Sequence, residues 1–289
     1  MIERLPRFIS KKAQRLIDAG IDQGGAEIEI ILCYLLKCDR LRLHLEGSRL
    51  IGEPIIRQLD EIIARRAERY PLQYILGEAW FYGRRFTVNP DVMVPTPETE
   101  GLVESALRFV KAARLERPQI LDLGTGCGVI AITMACELPA PTVVALDVSH
   151  RALSVARSNA TALGCDDRIE FRQSDFFDAV SADETFHLIL SNPPYITEED
   201  YKTLPPEVLA DPKLALTSGV TGLDAVKVIL ENAPNHLAPG GRIMFEIGYD
   251  QAEQVQQLTA EDERYKTIVI MKDLNNIDRV VILGCDQVG

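Results

Sequence analysis

The chain predicts an α/β fold with a mostly parallel sheet ending in an antiparallel hairpin, preceded by a small N-terminal helical bundle. Three observations predict it. Up to about Tyr70 apolar residues recur at three- and four-residue spacing, as in "AEIEIILCYLL" and "PIIRQLDEIIARRAERY", the pattern of helices with one buried face. From Arg117 onward short apolar, β-branched runs alternate with helical patterns, as in a parallel sheet with crossover helices. The last two runs are separated by only "LNNI", too short for a parallel crossover, so they pair antiparallel.

Taken in order, the helical pattern begins near Ile2. "WFYGRRFTV" then breaks it, with aromatic and β-branched residues flanking Gly83 as in a short hairpin. Prolines at 90, 95 and 97 in "NPDVMVPTPETE" make a linker and a loop leading into the next domain. Strands are expected at 119–123 ("QILDL"), 142–147 ("TVVALD"), 169–174 ("IEFRQS"), 186–191 ("FHLILS") and 242–247 ("RIMFEI"). The closing hairpin is expected at 265–273 and 278–284. A helix through about Glu137 follows the first strand, Ser149 is placed to cap one running to about Leu163, and another is expected over 222–237. The expected boundaries are a helical domain at 1–75, a hairpin linker with its following loop at 76–100, and the α/β domain at 101–289. No internal repeat or low-complexity tract is evident.

Composition narrows the function classes. With 289 residues and 46% hydrophobic content, the chain suits one large or two modest globular domains. The N-terminus "MIERLPRFISKKAQRL" lacks the apolar stretch of a secretory signal, and no run reaches membrane-span length. The six cysteines show no CxxC spacing, so reduced thiols in the cytoplasm are expected rather than a disulfide framework or zinc knuckle. The histidines at 44, 150, 187 and 236 show no metal-ligand spacing, so no metal site is expected. Residues 1–90 hold 15 Lys/Arg against 12 Asp/Glu, whereas residues 91–289 hold 16 against 31. Such an acidic body repels phosphate backbones, so direct nucleic-acid binding is not expected of it; the mildly basic N-terminal part is a possible docking surface.

"LDLGTGCG" (121–128) places Asp122 ahead of Gly124, Thr125, Gly126, Cys127 and Gly128 at the first strand-to-helix turn. Glycines there let backbone approach a ligand, and the helix start offers unpaired N–H groups. A pyrophosphate or ATP site requires a loop free of acids, and ATP a following Lys-Ser/Thr pair; neither holds here. Asp122 suits a ligand carrying ammonium and sulfonium groups. Asp147, ending the second strand, is placed to accept both hydroxyls of a ribose. The pattern is that of S-adenosyl-L-methionine. In "QSDFFD" Asp175 is a candidate acceptor for an adenine amino group and Phe176 a cover for its ring. The alternatives are a helix N-cap at Asp175 and a core aromatic at Phe176.

"SNPPYI" (191–196) follows the fourth strand, whose carboxyl end neighbours that of the first in a doubly wound sheet, where ligands bind. Pro193 and Pro194 stiffen the loop before substrate arrives. A planar amide or amino nitrogen carries two N–H groups. The Asn192 side-chain oxygen and the Pro193 carbonyl are two acceptors able to hold both and aim the lone pair at a methyl donor. Tyr195 is expected to stack on the acceptor's flat face. A strand-ending proline turn is the bland alternative.

These residues resemble the class I S-adenosylmethionine-dependent methyltransferases with an NPPY motif, specifically the peptide chain release factor glutamine methyltransferases. The resemblance extends over nearly the whole chain, including "PLQYILGEAWFYGRRFTVNPDVMVPTPETE" (71–100), "GGAEIEIILCYLL" and "LNNIDRVV". It implies a Rossmann-like methyltransferase sheet and methyl transfer to the side-chain amide nitrogen of the glutamine in the Gly-Gly-Gln motif of release factors. It further implies an N-terminal domain that helps dock the release factor, Gly124 to Gly128 and Asp147 binding cofactor, Phe176 on adenine, and Asn192 to Tyr195 holding the glutamine. The family usually has Arg between the two prolines and Asp after them, where this chain has Thr96 and Glu98, and an arginine's charge and fork are lost there. Other readings of the same residues are glutamine methylation of a ribosomal protein, adenine methylation of nucleic acid, and a cofactor-binding module without turnover.

Overall fold

The structure, a computed structural model, describes residues 4–285, apart from the side chains of 48 and 49; the outermost ends of the first and last expected domains lie outside the described residues. The chain divides into two compact units, one running to Glu78 and including Pro205–Ala210, the other holding Ala79–Leu204 and Asp211 onward.

The first unit is helical: α1 (Leu5–Asp18), α2 (Gly24–Leu36), α3 (Arg40–Leu50), α4 (Glu53–Ala67) and the short α5 (Leu72–Leu76). Leu5, Ile9, Ala13 and Leu16 fall on one face of α1, and they bury with Ile28, Ile31 and Leu32 of α2 and Leu59 and Ile63 of α4 in one cluster. Each such Leu or Ile contributes about 1.5–3 kcal/mol by leaving water. Asp39 caps α3, its carboxylate accepting from Arg42 N at 2.7 Å.

In the second unit β1 (Glu78–Phe81) and β2 (Arg84–Thr87) form the expected hairpin. Tyr82 and Gly83 at its turn both have positive φ, 49° and 72°, as a tight two-residue turn between twisted strands requires. Helix α6 (Glu98–Ala112) leads into β3 (Gln119–Leu123), α7 (Val129–Glu137), β4 (Thr142–Asp147), α8 (His150–Leu163), β5 (Ile169–Gln173) and β6 (Phe186–Ser191). After short helical turns come α9 (Asp224–Asn232), β7 (Leu237–Glu246), α10 (Ala252–Ala260), β8 (Tyr265–Lys272) and β9 (Asp278–Cys285). Seven strands form one sheet in the order β5-β4-β3-β6-β7-β9-β8. The first five run parallel, while β9 pairs antiparallel with β7 and β8 with β9. Both faces of the central strands are buried, so in β3 four successive residues, Ile120 to Leu123, are buried rather than alternate ones.

Ser149 caps α8 as expected, its Oγ accepting from Ala152 N at 3.2 Å. One boundary moves. The helix expected over 222–237 stops at Asn232, a 3-10 turn carrying Pro234 follows, and β7 starts at Leu237, five residues before its expected start at 242. Pro239 and Gly240 (φ 72°) interrupt its pairing, with an irregular register opposite Phe186 and Leu188. This bulged first half is what conceals the strand in the sequence.

Candidate active site

The carboxyl ends of β3, β4, β5 and β6 open on a cavity of about 550 Å³, the size class of small-molecule sites and the place where a parallel sheet puts them. Gly124, Thr125, Gly126, Cys127, Asp147, Asp175, Phe176, Asn192, Pro193 and Pro194 all line it. Asp122, Gly128 and Tyr195 do not.

The Gly-rich turn is locked from several sides. Thr125 N donates to the Leu146 carbonyl at 2.8 Å, and Gly126 N to Asp147 Oδ2 at 2.9 Å, joining the loop to the end of β4. Gly128 has φ 89°, and a Cβ there would lie 2.7 Å from Ile132 Cδ1 and 3.2 Å from Ala156 Cβ. Its place is therefore the close packing of α7 on α8 rather than ligand contact. Asn159, buried in α8, donates to the carbonyls of Cys127 (2.9 Å) and Thr87 (3.0 Å) and accepts from Thr87 N (2.8 Å). Burial pushes the Cys127 thiol up to about 12, so it stays protonated and serves as packing.

Asp122 departs from its expected position. Its side chain is fully buried beneath the loop, with Oδ2 accepting from Thr125 Oγ1 at 2.6 Å and Ala131 N at 3.1 Å and Oδ1 without a partner. It therefore braces the turn and the start of α7 instead of facing a ligand. Desolvation raises its pKa to about 7, opposed by its two hydrogen bonds. Asp147 does face the cavity. Its Oδ1 accepts from Ser149 N at 2.8 Å and Oδ2 from Gly126 N, which fixes the carboxylate plane and leaves each oxygen a lone pair. Burial raises its pKa against those two hydrogen bonds.

Phe176 adopts φ 42°, an uncommon left-handed backbone for an aromatic residue. Ser174 holds it there: Ser174 N donates to the Asp147 carbonyl (3.0 Å), and its Oγ donates to the Phe176 carbonyl (2.9 Å) while accepting from Ala179 N (2.9 Å). The ring reaches the cavity and also packs against the core. Asp175 is exposed on the rim, and no helix follows for it to cap.

At the end of β6, Ser191 Oγ donates to the Leu123 carbonyl at 2.8 Å, tying the two strand ends together. Asn192 Nδ2 donates to Thr99 Oγ1 at 3.1 Å. Pro193 is buried and Pro194 half-buried. Tyr195 is the second departure: its phenol lies near Glu246, Arg279 and Glu98, away from the cavity lining, and burial raises its pKa. The segment is clamped there by Gln251, whose Nε2 donates to the carbonyls of Tyr195 (3.0 Å) and Gly222 (3.1 Å). Gly222, at φ 71°, allows this approach, since a Cβ would collide with the Tyr195 carbonyl. Thr99, Asn159, Ser174 and Gln251 are buried polar residues that motif reading passes over. Nothing local marks them, since Thr99 lies between Glu98 and Glu100, Ser174 between Gln173 and Asp175, and Gln251 beside Asp250.

The lining contains five carboxylates, Asp91, Asp147, Asp175, Asp178 and Asp224, and no Lys, Arg or His. Such a field favours a cationic ligand and opposes pyrophosphate. A sulfonium-bearing nucleoside amino acid fits this donor set: acidic walls, Asp147 for ribose hydroxyls, and an aromatic edge for a base. Among the described residues no group of three or more His, Cys, Asp or Glu is placed to hold a metal ion, and no helix is long and apolar enough to cross a membrane.

Comparison with known proteins agrees with this picture. Residues 9–77 match the family described as PrmC N-terminal domain, and residues 105–220 the Methyltransferase small domain. The chain is 43% identical over 268 residues to a release factor glutamine methyltransferase of Cereibacter sphaeroides, covering 92% of this chain and 93% of the relative. A protein of the same name from Neisseria gonorrhoeae is 39% identical over 258 residues, covering 89% and 92%. Among solved structures, the hMettl16 catalytic domain in complex with MAT2A 3'UTR hairpin 1 aligns with a TM-score of 0.56 at 17% identity, over 78% of this chain and 80% of that one, a likeness of fold.

Proposed function

This chain belongs to the release factor glutamine methyltransferase family, and from that premise we propose that it methylates the side-chain amide nitrogen of the glutamine in the Gly-Gly-Gln motif of peptide chain release factors. S-adenosyl-L-methionine supplies an electrophilic methyl carbon on a sulfonium. The observation that carries the reading is the anchoring of Asn192: its amide nitrogen is engaged by Thr99, so its Oδ1 remains as an acceptor beside the Gly-rich loop.

Asp147 takes the ribose hydroxyls, Gly124 to Cys127 the amino-acid part, and Phe176 with Asp175 the adenine. Asn192 Oδ1 and the Pro193 carbonyl accept the two hydrogens of the substrate amide and aim its lone pair. A primary amide nitrogen is weakly nucleophilic because its lone pair is delocalised. Fixed orientation in an acidic site offsets this: the N–CH3 bond would form as the S–CH3 bond breaks and a neutral thioether leaves, and the amide proton would then pass to water, so no strong base is needed. We assign docking of the release factor to the helical domain, 1–75, with 76–100 leading into the methyltransferase domain at 101–289.

Incubation with methyl-labelled S-adenosyl-L-methionine and purified release factors, followed by peptide mass mapping, tests this. Label on the Gly-Gly-Gln glutamine is expected. Label elsewhere, or on a ribosomal protein in preference to release factors, overturns it.

A further inference from the structure

Three elements bring Asn192, Thr99 and Glu246 together. Ser191 is in register with Phe245 on the neighbouring parallel strand, so Asn192 and Glu246 stand side by side at two adjacent strand ends. Thr99, in the first turn of α6, covers both. It is 2% exposed and Glu246 1%. Thr99 Oγ1 accepts from Asn192 Nδ2 at 3.1 Å, and the Thr99 hydroxyl acts on the buried Glu246 carboxyl, whose Oε1 has no other hydrogen-bond partner.

A threonine hydroxyl has one hydrogen to give. Burial lifts the Glu246 carboxyl to about 7, while its contact with Thr99 favours the ionised form; once ionised it only accepts, takes that hydrogen and leaves the Thr99 oxygen as acceptor for Asn192 N–H. The chain of bonds then has one direction, from Asn192 to Thr99 to Glu246. Thr96 Oγ1, at 3.5 Å, lies at the outer limit for a competing partner of Thr99. Around the carboxylate stand Arg279 of β9, Glu98 of α6 and Tyr195, and Arg279 is also 3.8 Å from Asp273. An amide without such an anchor turns over by half a rotation at little cost, and would then present N–H groups to a substrate that itself carries two.

We propose that Thr99, oriented by Glu246, is the positioning residue that fixes the direction of the Asn192 amide and thereby selects a planar NH2 group as methyl acceptor. The inference deepens the glutamine reading above and rests on it for its kinetic test. It assigns work to two residues outside the NPPY motif, neither of which transfers a proton to substrate.

The full-length Thr99→Val, Thr99→Ser and Glu246→Gln variants test it, with a release factor as substrate. Thr99→Val keeps the shape and removes the hydroxyl. It is expected to lower kcat at least about tenfold while leaving the Kd for S-adenosyl-L-methionine within about threefold. Thr99→Ser restores the rate to within about threefold of wild type, and Glu246→Gln, whose amide competes for the Thr99 oxygen, lowers kcat severalfold. A Thr99→Val rate within about twofold of wild type, or a serine variant as impaired as the valine one, overturns the proposal. An arm free of turnover uses the side-chain 15N–1H resonances of Asn192, identified by their loss in Asn192→Ala. Slower hydrogen exchange in wild type than in Thr99→Val is expected, and equal exchange overturns the inference. If wild type transfers no methyl to release factors, the proposed function fails and the resonance arm still decides the positioning role.

Discussion

Gly126 N donates to Asp147 Oδ2 at 2.9 Å, so the Gly-rich turn and the acidic end of the second strand of the sheet form one rigid piece. In the proposed ribose site, the Asp147 carboxylate is thereby held in place before any hydroxyl arrives. Asp147→Ala removes two charged acceptors and is expected to weaken S-adenosyl-L-methionine binding about ten- to a hundredfold. Asp147→Asn is expected to be poorly tolerated too, because its NH2 would face the N–H of either Gly126 or Ser149. Calorimetric titration of the purified variants checks both, and a defect confined to turnover counts against the ribose assignment.

Asn192→Ala should behave in the opposite way. The alanine deletes the acceptor proposed for substrate while leaving Asp147 and the Gly-rich turn in place, so cofactor affinity is expected to stay within a few-fold and kcat to fall at least about a hundredfold. Single-turnover methylation with saturating cofactor measures this, and retained turnover removes Asn192 from the mechanism.

Much of this site is legible in the sequence because its residues sit at strand ends punctuated by Gly and Pro. "DLGTGCG", Asp147 and "SNPPYI" all fall where alternating strands and helices must place them around one cavity. What fails to show is which way a side chain points within a doubly covered strand. β3 is buried on both faces, so its pattern does not separate Asp122 inward from Asp122 outward, and charge alone suggested a ligand contact. Tyr195 fails for a related reason: nothing local marks the Gln251 and Gly222 clamp on its carbonyl or the turn of its ring toward Glu246. Thr99 joins Asn192 across 93 residues, a relation no local spacing encodes.

The helical unit contains a polar joint whose removal is measurable. Arg66, only 6% exposed, grips Glu27 with Nε and Nη2 at 2.8 and 3.1 Å and donates from Nη1 to Glu207 at 2.8 Å. Arg69 adds bonds of 2.6 and 2.9 Å to the same Glu207 carboxylate. Glu207→Ala leaves part of the Arg66 fork unpaired in a buried setting and is expected to cost about 1–3 kcal/mol, read as a lower midpoint in thermal or urea unfolding. The two guanidinium groups outweigh desolvation and hold the Glu207 carboxyl down at about 2, against 4.5 ordinarily. Its stabilisation is therefore complete above about pH 5 and lost as pH falls toward 2.

Asp122 has the reverse sign. Desolvation lifts its pKa from 3.8 to about 7, so the folded chain holds a proton there that the unfolded chain releases. The stability linked to that proton is fully present below about pH 4 and lost as pH rises through 7. In the absence of ligand, the unfolding midpoint of Asp122→Asn is expected to vary less between pH 5 and about 8 than that of wild type. A cationic donor held by the Gly-rich turn would lower the Asp122 pKa again without touching it, because positive charge favours the ionised carboxyl. Affinity for S-adenosyl-L-methionine is thus expected to tighten as pH rises from about 6 to 8, more than affinity for the uncharged-sulfur product, and to tighten less in Asp122→Asn. Proton release on cofactor binding, measured by calorimetry in buffers of different ionisation heat, checks the coupling; an equal release in wild type and Asp122→Asn would remove Asp122 as its source.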